Sequence, residues 1–149
     1  MKEVVILRGI PGSGKSRYAR DHCLASAVVC SADDYFMVGG EYEFDPTKLA
    51  IAHVKCMGKF IDALHRGDVQ VVVDNTCVHL WEFENYMKIG ADFGYEVNVV
   101  DFRVLTTEHL KVCIERNVHG VPADIIARMA LEFEPYEDAT ALDVFGESV

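Results

Sequence analysis

The chain has 149 residues, half of them hydrophobic and 26% charged, which is a composition able to bury one sizeable core. Its 24 acidic against 14 basic groups leave a formal net charge of −10, which argues against a broad basic face for nucleic acid but not against a local positive cleft. No apolar run approaches the about 20 residues of a membrane span, Met1-Lys2-Glu3 leads into a strand rather than a signal peptide, and five cysteines without CxxC pairing fit reduced thiols of a cytoplasmic protein better than disulfides or zinc.

Residues 3 to 8 form an apolar run without alternation, as in a parallel strand covered on both faces. The run meets Gly9-Ile10-Pro11-Gly12-Ser13-Gly14-Lys15-Ser16, and the spacing Gly9-x-x-x-x-Gly14-Lys15-Ser16 matches a P-loop. Each residue type there has a mechanical reason. Gly9, Gly12 and Gly14 permit backbone conformations closed to other residues, so that N–H groups of the loop, those of Pro11's neighbours and Ser13 included, converge on phosphate oxygens. The helix that follows, from Lys15 to about Leu24, directs its positive end at the same anion. Lys15 reaches the β- and γ-phosphates, and the Ser16 hydroxyl suits a hard cation such as Mg²⁺.

A short strand is expected at Ala27 to Cys30, followed by Ser31-Ala32-Asp33-Asp34-Tyr35. This puts a carboxylate pair at the sheet edge where open α/β folds bind ligands. Asp33 could serve as a general base toward a hydroxyl attacking a γ-phosphate, whereas Asp34 reads as a cap of the following turn. Residues 36 to 46 read as a loop carrying aromatics: Tyr35, Phe36, Tyr42 and Phe44 either stack on a base or pack the loop against the body. Asp45 is an N-cap with Pro46 at the first helical position, and the helix runs to Arg66, where Gly67 stops it. Leu49, His53, Cys56, Phe60 and Leu64 are its expected buried face.

Residues 69 to 74, Val-Gln-Val-Val-Val-Asp, are the strongest strand and end in an acidic residue, as a Walker B element does. Asp74 then either orders Mg²⁺ through water or organises the acceptor side, with Thr76 sharing its surroundings. A helix from Leu80 to Ile89 closing near Gly90, a strand from Tyr95 to Phe102, a helix from Thr106 to Asn117, an interruption at His119-Gly120-Val121-Pro122 and a last helix to Phe133 follow. The acidic tail from Glu134 is expected to pack loosely. Four strands alternating with helices predict a single α/β domain over 1–149 of P-loop NTPase fold, with a mostly parallel sheet in the order 2-3-1-4 and helices on both faces.

With these segments placed, the chain resembles the polynucleotide 5′-hydroxyl kinase family of P-loop kinases. The resemblance rests on residues 9 to 16, Ser-Ala-Asp-Asp-Tyr at 31 to 35, Glu-Tyr-Glu-Phe-Asp-Pro at 41 to 46, Val-Asp-Asn-Thr at 73 to 76 and Arg-Asn-Val-His-Gly-Val-Pro at 116 to 122. The Tyr-x-Phe-Asp-Pro segment at 42 to 46 looks most like the kinase-like domains attached to some eukaryotic ubiquitin-ligase-binding proteins and like small stand-alone phage and bacterial kinases. The resemblance implies ATP as donor with Mg²⁺, Lys15 and Arg116 acting on the phosphates, Asp33 as the base, and a nucleic acid end as acceptor. It leaves open a nucleoside, another small metabolite or a hydroxymethylated base in phage DNA, as well as a nucleotide-dependent switch that hydrolyses ATP slowly. One departure is Phe36, where well-studied polynucleotide kinases place an arginine that engages acceptor phosphates. A second is Cys77, where relatives often have Asn.

Overall fold

The computed structural model describes residues 1–149. Its centre is a parallel sheet whose first strand, β1 (Glu3–Arg8), pairs with the strands that follow two later crossovers. In chain order come α1 (Lys15–His22), β2 (Val28–Cys30), the short hairpin β3 (Met37–Val38) and β4 (Glu41–Tyr42), α2 (Leu49–Arg66), β5 (Gln70–Asn75), α3 (Trp81–Asp92), β6 (Glu96–Phe102), α4 (Thr107–Arg116), α5 (Ala123–Glu132) and β7 (Thr140–Leu142). The main sheet runs β2-β5-β1-β6-β7, with every pairing parallel.

The first four of those strands stand in the expected order, with Leu7 opposite Asp74 on one side and Val100 on the other. The sheet nevertheless has five strands rather than four. The tail expected to pack loosely supplies β7, because Leu142 and Val144 are buried in spite of their acidic neighbours, at 8% and 2% exposure. Three residues between charged flanks carry too little pattern to be read as a strand.

Alternation along β1 assigns the two faces. Val4 and Ile6 join the larger core with Cys56 and Phe60 of α2 and Phe83 and Tyr86 of α3. Val5 and Leu7 point the other way, against Tyr18 and Ala19 of α1. Both faces being covered is why β1 and β5 read as continuous apolar runs.

Two local expectations are corrected. The buried face of α2 is Ala52, Cys56, Phe60, Ala63 and Leu64, while Leu49 and His53 are exposed. Stepping back four residues from Cys56 leads to Ala52, whose small side chain lets the helix lie close to the sheet. Gly90 does not close α3 but lies within it: a Cβ there would meet Val97 and Val4 at 3.1 and 3.2 Å, so the glycine permits close helix–sheet packing. Segment 36–46 contains a two-residue hairpin turn at Gly39-Gly40, whose φ angles of 59° and 84° fit a tight turn that favours glycine.

Candidate active site

The phosphate-binding loop is held from below by one side chain and shaped by two missing ones. Ile10, 1% exposed, is buried with Cys113 of α4, Ile126 of α5 and Val144 of the tail. A Cβ on Gly12 (φ 78°) would lie 2.1 Å from the Cys113 carbonyl oxygen, and one on Gly9 would lie 2.3 Å from Ser13 Oγ. Glycine is therefore required at both positions by approach distance, and at Gly12 by conformation as well. Gly9 N–H donates to the Thr76 carbonyl at 3.0 Å, and Ser13 N–H to Ile10 at 3.1 Å, around a turn made by Pro11 and Gly12. The Ser13 hydroxyl is buried with no partner. Gly14, at φ 109°, opens α1.

Lys15 Nζ donates to the carbonyls of Gly9 at 2.7 Å and Ile10 at 3.2 Å, so the amine lies across the loop. Burial pushes the ammonium below its ordinary value, opposed most strongly by the nearby carboxylate of Asp74 and also by that of Asp33. Ser16 Oγ donates to Asp74 Oδ2 at 3.0 Å. The hydroxyl and the carboxylate expected to share a cation are thus in contact, brought together by the parallel pairing of β1 with β5. No group of three or more His, Cys, Asp or Glu is arranged to hold a metal ion by itself. A two-oxygen site fits Mg²⁺, which keeps several waters and takes its remaining ligands from phosphates.

Asp33 stands at the same edge of the sheet, in a 3₁₀ turn covering Ala32–Phe36. The turn is capped by Ser31, whose side chain accepts from Asp33 N–H; Asp34 is not the cap, and its carboxylate instead faces Lys59 at 3.8 Å. Asn75, at the end of β5, accepts from Ala32 N–H at 2.9 Å and ties this turn to the strand carrying Asp74. The Asp33 carboxylate is half-exposed. Tyr42 OH donates to its Oδ1 at 3.0 Å, and His119 Nδ1 lies 3.5 Å from its Oδ2. Burial, then the Asp33 carboxylate, pushes the Tyr42 hydroxyl well above the ordinary tyrosine range, so it remains a donor.

The rings of Phe44, Tyr42 and His119 lie nearly parallel in series: Phe44 to Tyr42 at 6.4 Å and 9°, Tyr42 to His119 at 4.1 Å and 11°. Phe36 takes no part in that stack. It is 2% exposed and packs edge-on beneath it.

Arg116 ends α4 beside the loop. Its Nη1 donates to the Val144 carbonyl at 2.6 Å and lies 3.5 Å from the Gly12 carbonyl, with Phe145 alongside. The segment after it is folded by Asn117, whose side chain donates to the Val121 carbonyl at 2.7 Å. Lys15, Ser16, Asp74, Asp33 and Arg116 therefore converge on one edge.

Five residues contribute in ways the sequence reading did not assign to them. Ile10 lies inside the motif at a position the motif leaves free, and Val144 acts through its carbonyl in a segment expected to be loose. Asn75 was visible within Val-Asp-Asn-Thr at 73 to 76, without the contact to Ala32 that it makes. The contacts of Tyr42 and His119 with Asp33 join three separate segments. Behind the site, Arg8 is fully buried in an ion pair with Asp101 at 2.7 Å, a charge hidden inside an apolar run.

Residues 4–136 match the family described as AAA domain, AAA_33. Human NEDD4-binding protein 2 is 33% identical over 135 residues, which are 89% of this chain and 8% of that protein. Among solved structures, a chain of the Pnkp1/Rnl/Hen1 RNA repair complex superposes with a TM-score of 0.68 at 21% identity, covering 93% of this chain and 49% of the other. The APS kinase CysC of Mycobacterium tuberculosis, in complex with AMPPNP and APS, superposes at 0.61 and 17% identity over 95% and 88% of the two chains. A gluconokinase from Sinorhizobium meliloti 1021 does so at 0.61 and 14%, over 95% and 82%. These likenesses establish a P-loop kinase-like fold.

Proposed function

The chain belongs to the AAA_33 family of AAA domains, and from that premise we propose that it is an ATP-dependent kinase moving the γ-phosphoryl of ATP onto a hydroxyl, the 5′-hydroxyl end of DNA or RNA being the preferred acceptor. One observation carries the reading. The Asp33 carboxylate, on the turn that follows β2, stands at the same sheet edge as the phosphate loop: Asn75 holds that turn to the end of β5, whose neighbouring Asp74 contacts Ser16 of the loop. A base and a phosphate-holding cation facing one another across a sheet edge are what in-line transfer to a hydroxyl requires.

The loop N–H groups and Lys15 hold the triphosphate. Asp33 accepts the proton of the attacking hydroxyl, oriented by Tyr42 and His119. Arg116, beside Gly12, offsets charge that builds on the γ-phosphoryl oxygens. Ser16 and Asp74 would hold Mg²⁺, which when bound withdraws charge from the β- and γ-phosphate oxygens. The parallel rings of Phe44, Tyr42 and His119 offer an uncharged face on which a nucleobase stacks, consistent with a net charge of −10.

A second reading keeps the chemistry and changes the acceptor to a nucleoside, another small metabolite or a hydroxymethylated base in phage DNA. Phe36 favours it, because the position at which related enzymes hold acceptor phosphates is here a buried ring. A screen with γ-labelled ATP over 5′-hydroxyl DNA, 5′-hydroxyl RNA, nucleosides and modified DNA separates the readings. Label on oligonucleotide ends supports the first, and label on nucleosides alone removes it. Label released only as inorganic phosphate points to a slowly hydrolysing switch.

A further inference from the structure

Two glycines lie inside helices, and only one is explained by the fold. Gly90 in α3 makes room for Val4 and Val97. Gly58 in α2 faces outward, and a Cβ added there would meet nothing within 4 Å. Glycine in the interior of a helix costs about 1 kcal/mol relative to alanine. Nothing inside this chain offsets that cost.

Gly58 is the midpoint of an exposed stripe. Ile51, Val54, Gly58, Ile61 and His65 recur at alternating intervals of three and four along the outer face of α2, the spacing of a helix–helix seam. Val54 is 70% exposed, Ile51 46% and Ile61 36%. Phe93, 42% exposed, lies beside His65 with ring centroids 6.4 Å apart and extends the stripe at one end. One flank of the stripe is charged in a complementary way along its length. Exposed Lys55 stands on one side of the centre and exposed Asp62 on the other. The ion pairs that α2 makes within the chain run instead from Lys59 to Asp34 and from Arg66 to Asp68.

We propose that the outer face of α2 binds a second copy of this chain, with the two helices antiparallel about a two-fold axis through Gly58. Self-complementarity follows from the sequence order. Rotation about Gly58 sets Val54 and Ile61 against Ile61 and Val54 of the second copy, Ile51 against the other His65–Phe93 pair, and Lys55 against Asp62 twice. At the crossing point the missing Cβ atoms let the backbones approach closely. One helix face falls below the about 1,200 Å² low end of standard interfaces, so the dimer forms at micromolar to millimolar concentration rather than being obligate. This proposal is independent of phosphoryl transfer, since none of these residues lies in the phosphate loop or on the Asp33 edge.

Sedimentation of the full chain over a micromolar-to-millimolar range tests it. The wild type dimerises with concentration. Val54→Asp abolishes the dimer, and Lys55→Glu raises its Kd at least about tenfold by opposing two like-charged pairs. The double variant Lys55→Glu/Asp62→Lys restores wild-type association. Gly58→Leu separates association from folding, because it raises the thermal midpoint through helix propensity while weakening the dimer at least about tenfold. A monomer at every concentration, a dimer indifferent to Val54→Asp, or a charge reversal that the double variant fails to rescue would overturn the proposal.

Discussion

Two aspartates stand at the carboxyl edge of the sheet in opposite conditions. Asp101, on β6, is fully buried and has a partner on each oxygen: Arg8 on Oδ1 at 2.7 Å, and on Oδ2 Arg103 at 3.3 Å together with Tyr136 N–H at 2.8 Å. Arg8 completes the cluster by donating to the carbonyls of Cys77, Val78 and Glu134, and its guanidinium lies between the rings of Phe83 and Phe133. Asp33, after β2, is half-exposed, with one hydrogen bond from Tyr42 and a distant His119. A carboxylate sealed among hydrogen-bonding partners ties elements together, here β1, β6, the β5–α3 loop and the tail. One left open to solvent and facing a phosphate loop is available for proton transfer.

The comparison is broken most severely at Asp33. Asp33→Asn should lower phosphoryl transfer by about 10²- to 10⁴-fold, the range of a lost general base, while ATP binding by calorimetry and the thermal midpoint stay unchanged. At the other carboxylate the phenotype inverts. Arg8→Met leaves Asp101 buried with Oδ1 unpaired and only Arg103 on its other oxygen, and should cost about 3–5 kcal/mol in denaturant unfolding, whereas Arg8→Met/Asp101→Leu recovers part of that loss. If Arg8→Met unfolded no earlier than wild type, the sealed pair would not be what joins the tail to the sheet.

Lys15 sharpens the contrast, since it is a charge that the proposed reaction requires, placed where burial disfavours it. A lysine whose folded pKa is lowered binds fewer protons folded than unfolded between the two values, so its destabilising effect is full below the folded value. That effect fades as pH rises from the folded value toward the ordinary 10.5. Lys15→Met should therefore unfold later than wild type at pH 7, with the gap closing at higher pH, as urea titrations at the two pH values would show. A gap that widened with pH would reverse the sign of the argument. The smallest effects belong to the partners of Asp33: Tyr42→Phe removes one hydrogen bond of about 1 kcal/mol and should slow transfer only severalfold, a change visible in kcat with KM for ATP unmoved.

What could be read from the sequence divides along the same line. The phosphate side is legible because its chemistry is carried by backbone geometry, and Gly9, Gly12, Gly14, Lys15 and Ser16 record that geometry in consecutive residues. The contact of Ser16 with Asp74 follows once β5 is placed beside β1, and the order of the first four strands follows from the alternation of elements. Arg8 is illegible for a physical reason: its partner lies 93 residues away, and a lone charge in an apolar strand looks like a strand end. The Tyr42–Asp33–His119 contacts join short, exposed segments whose approach depends on the hairpin turn at Gly39-Gly40. The strand β7 pairs with β6 and is anchored by Leu142, with Val144 buried just beyond it, amid acidic residues that obscure the pattern.

If the phosphate loop and Asp33 serve one reaction, a structure of the chain with a non-hydrolysable ATP analogue will show the two together. The account predicts the γ-phosphate beside Lys15 and Ser16, with an Asp33 carboxylate oxygen roughly 6 Å from the γ-phosphorus, the span of one hydroxyl oxygen hydrogen-bonded to the base and poised for attack. A γ-phosphate seated in the loop with Asp33 turned away from it, beyond the reach of any bridging hydroxyl, would contradict it.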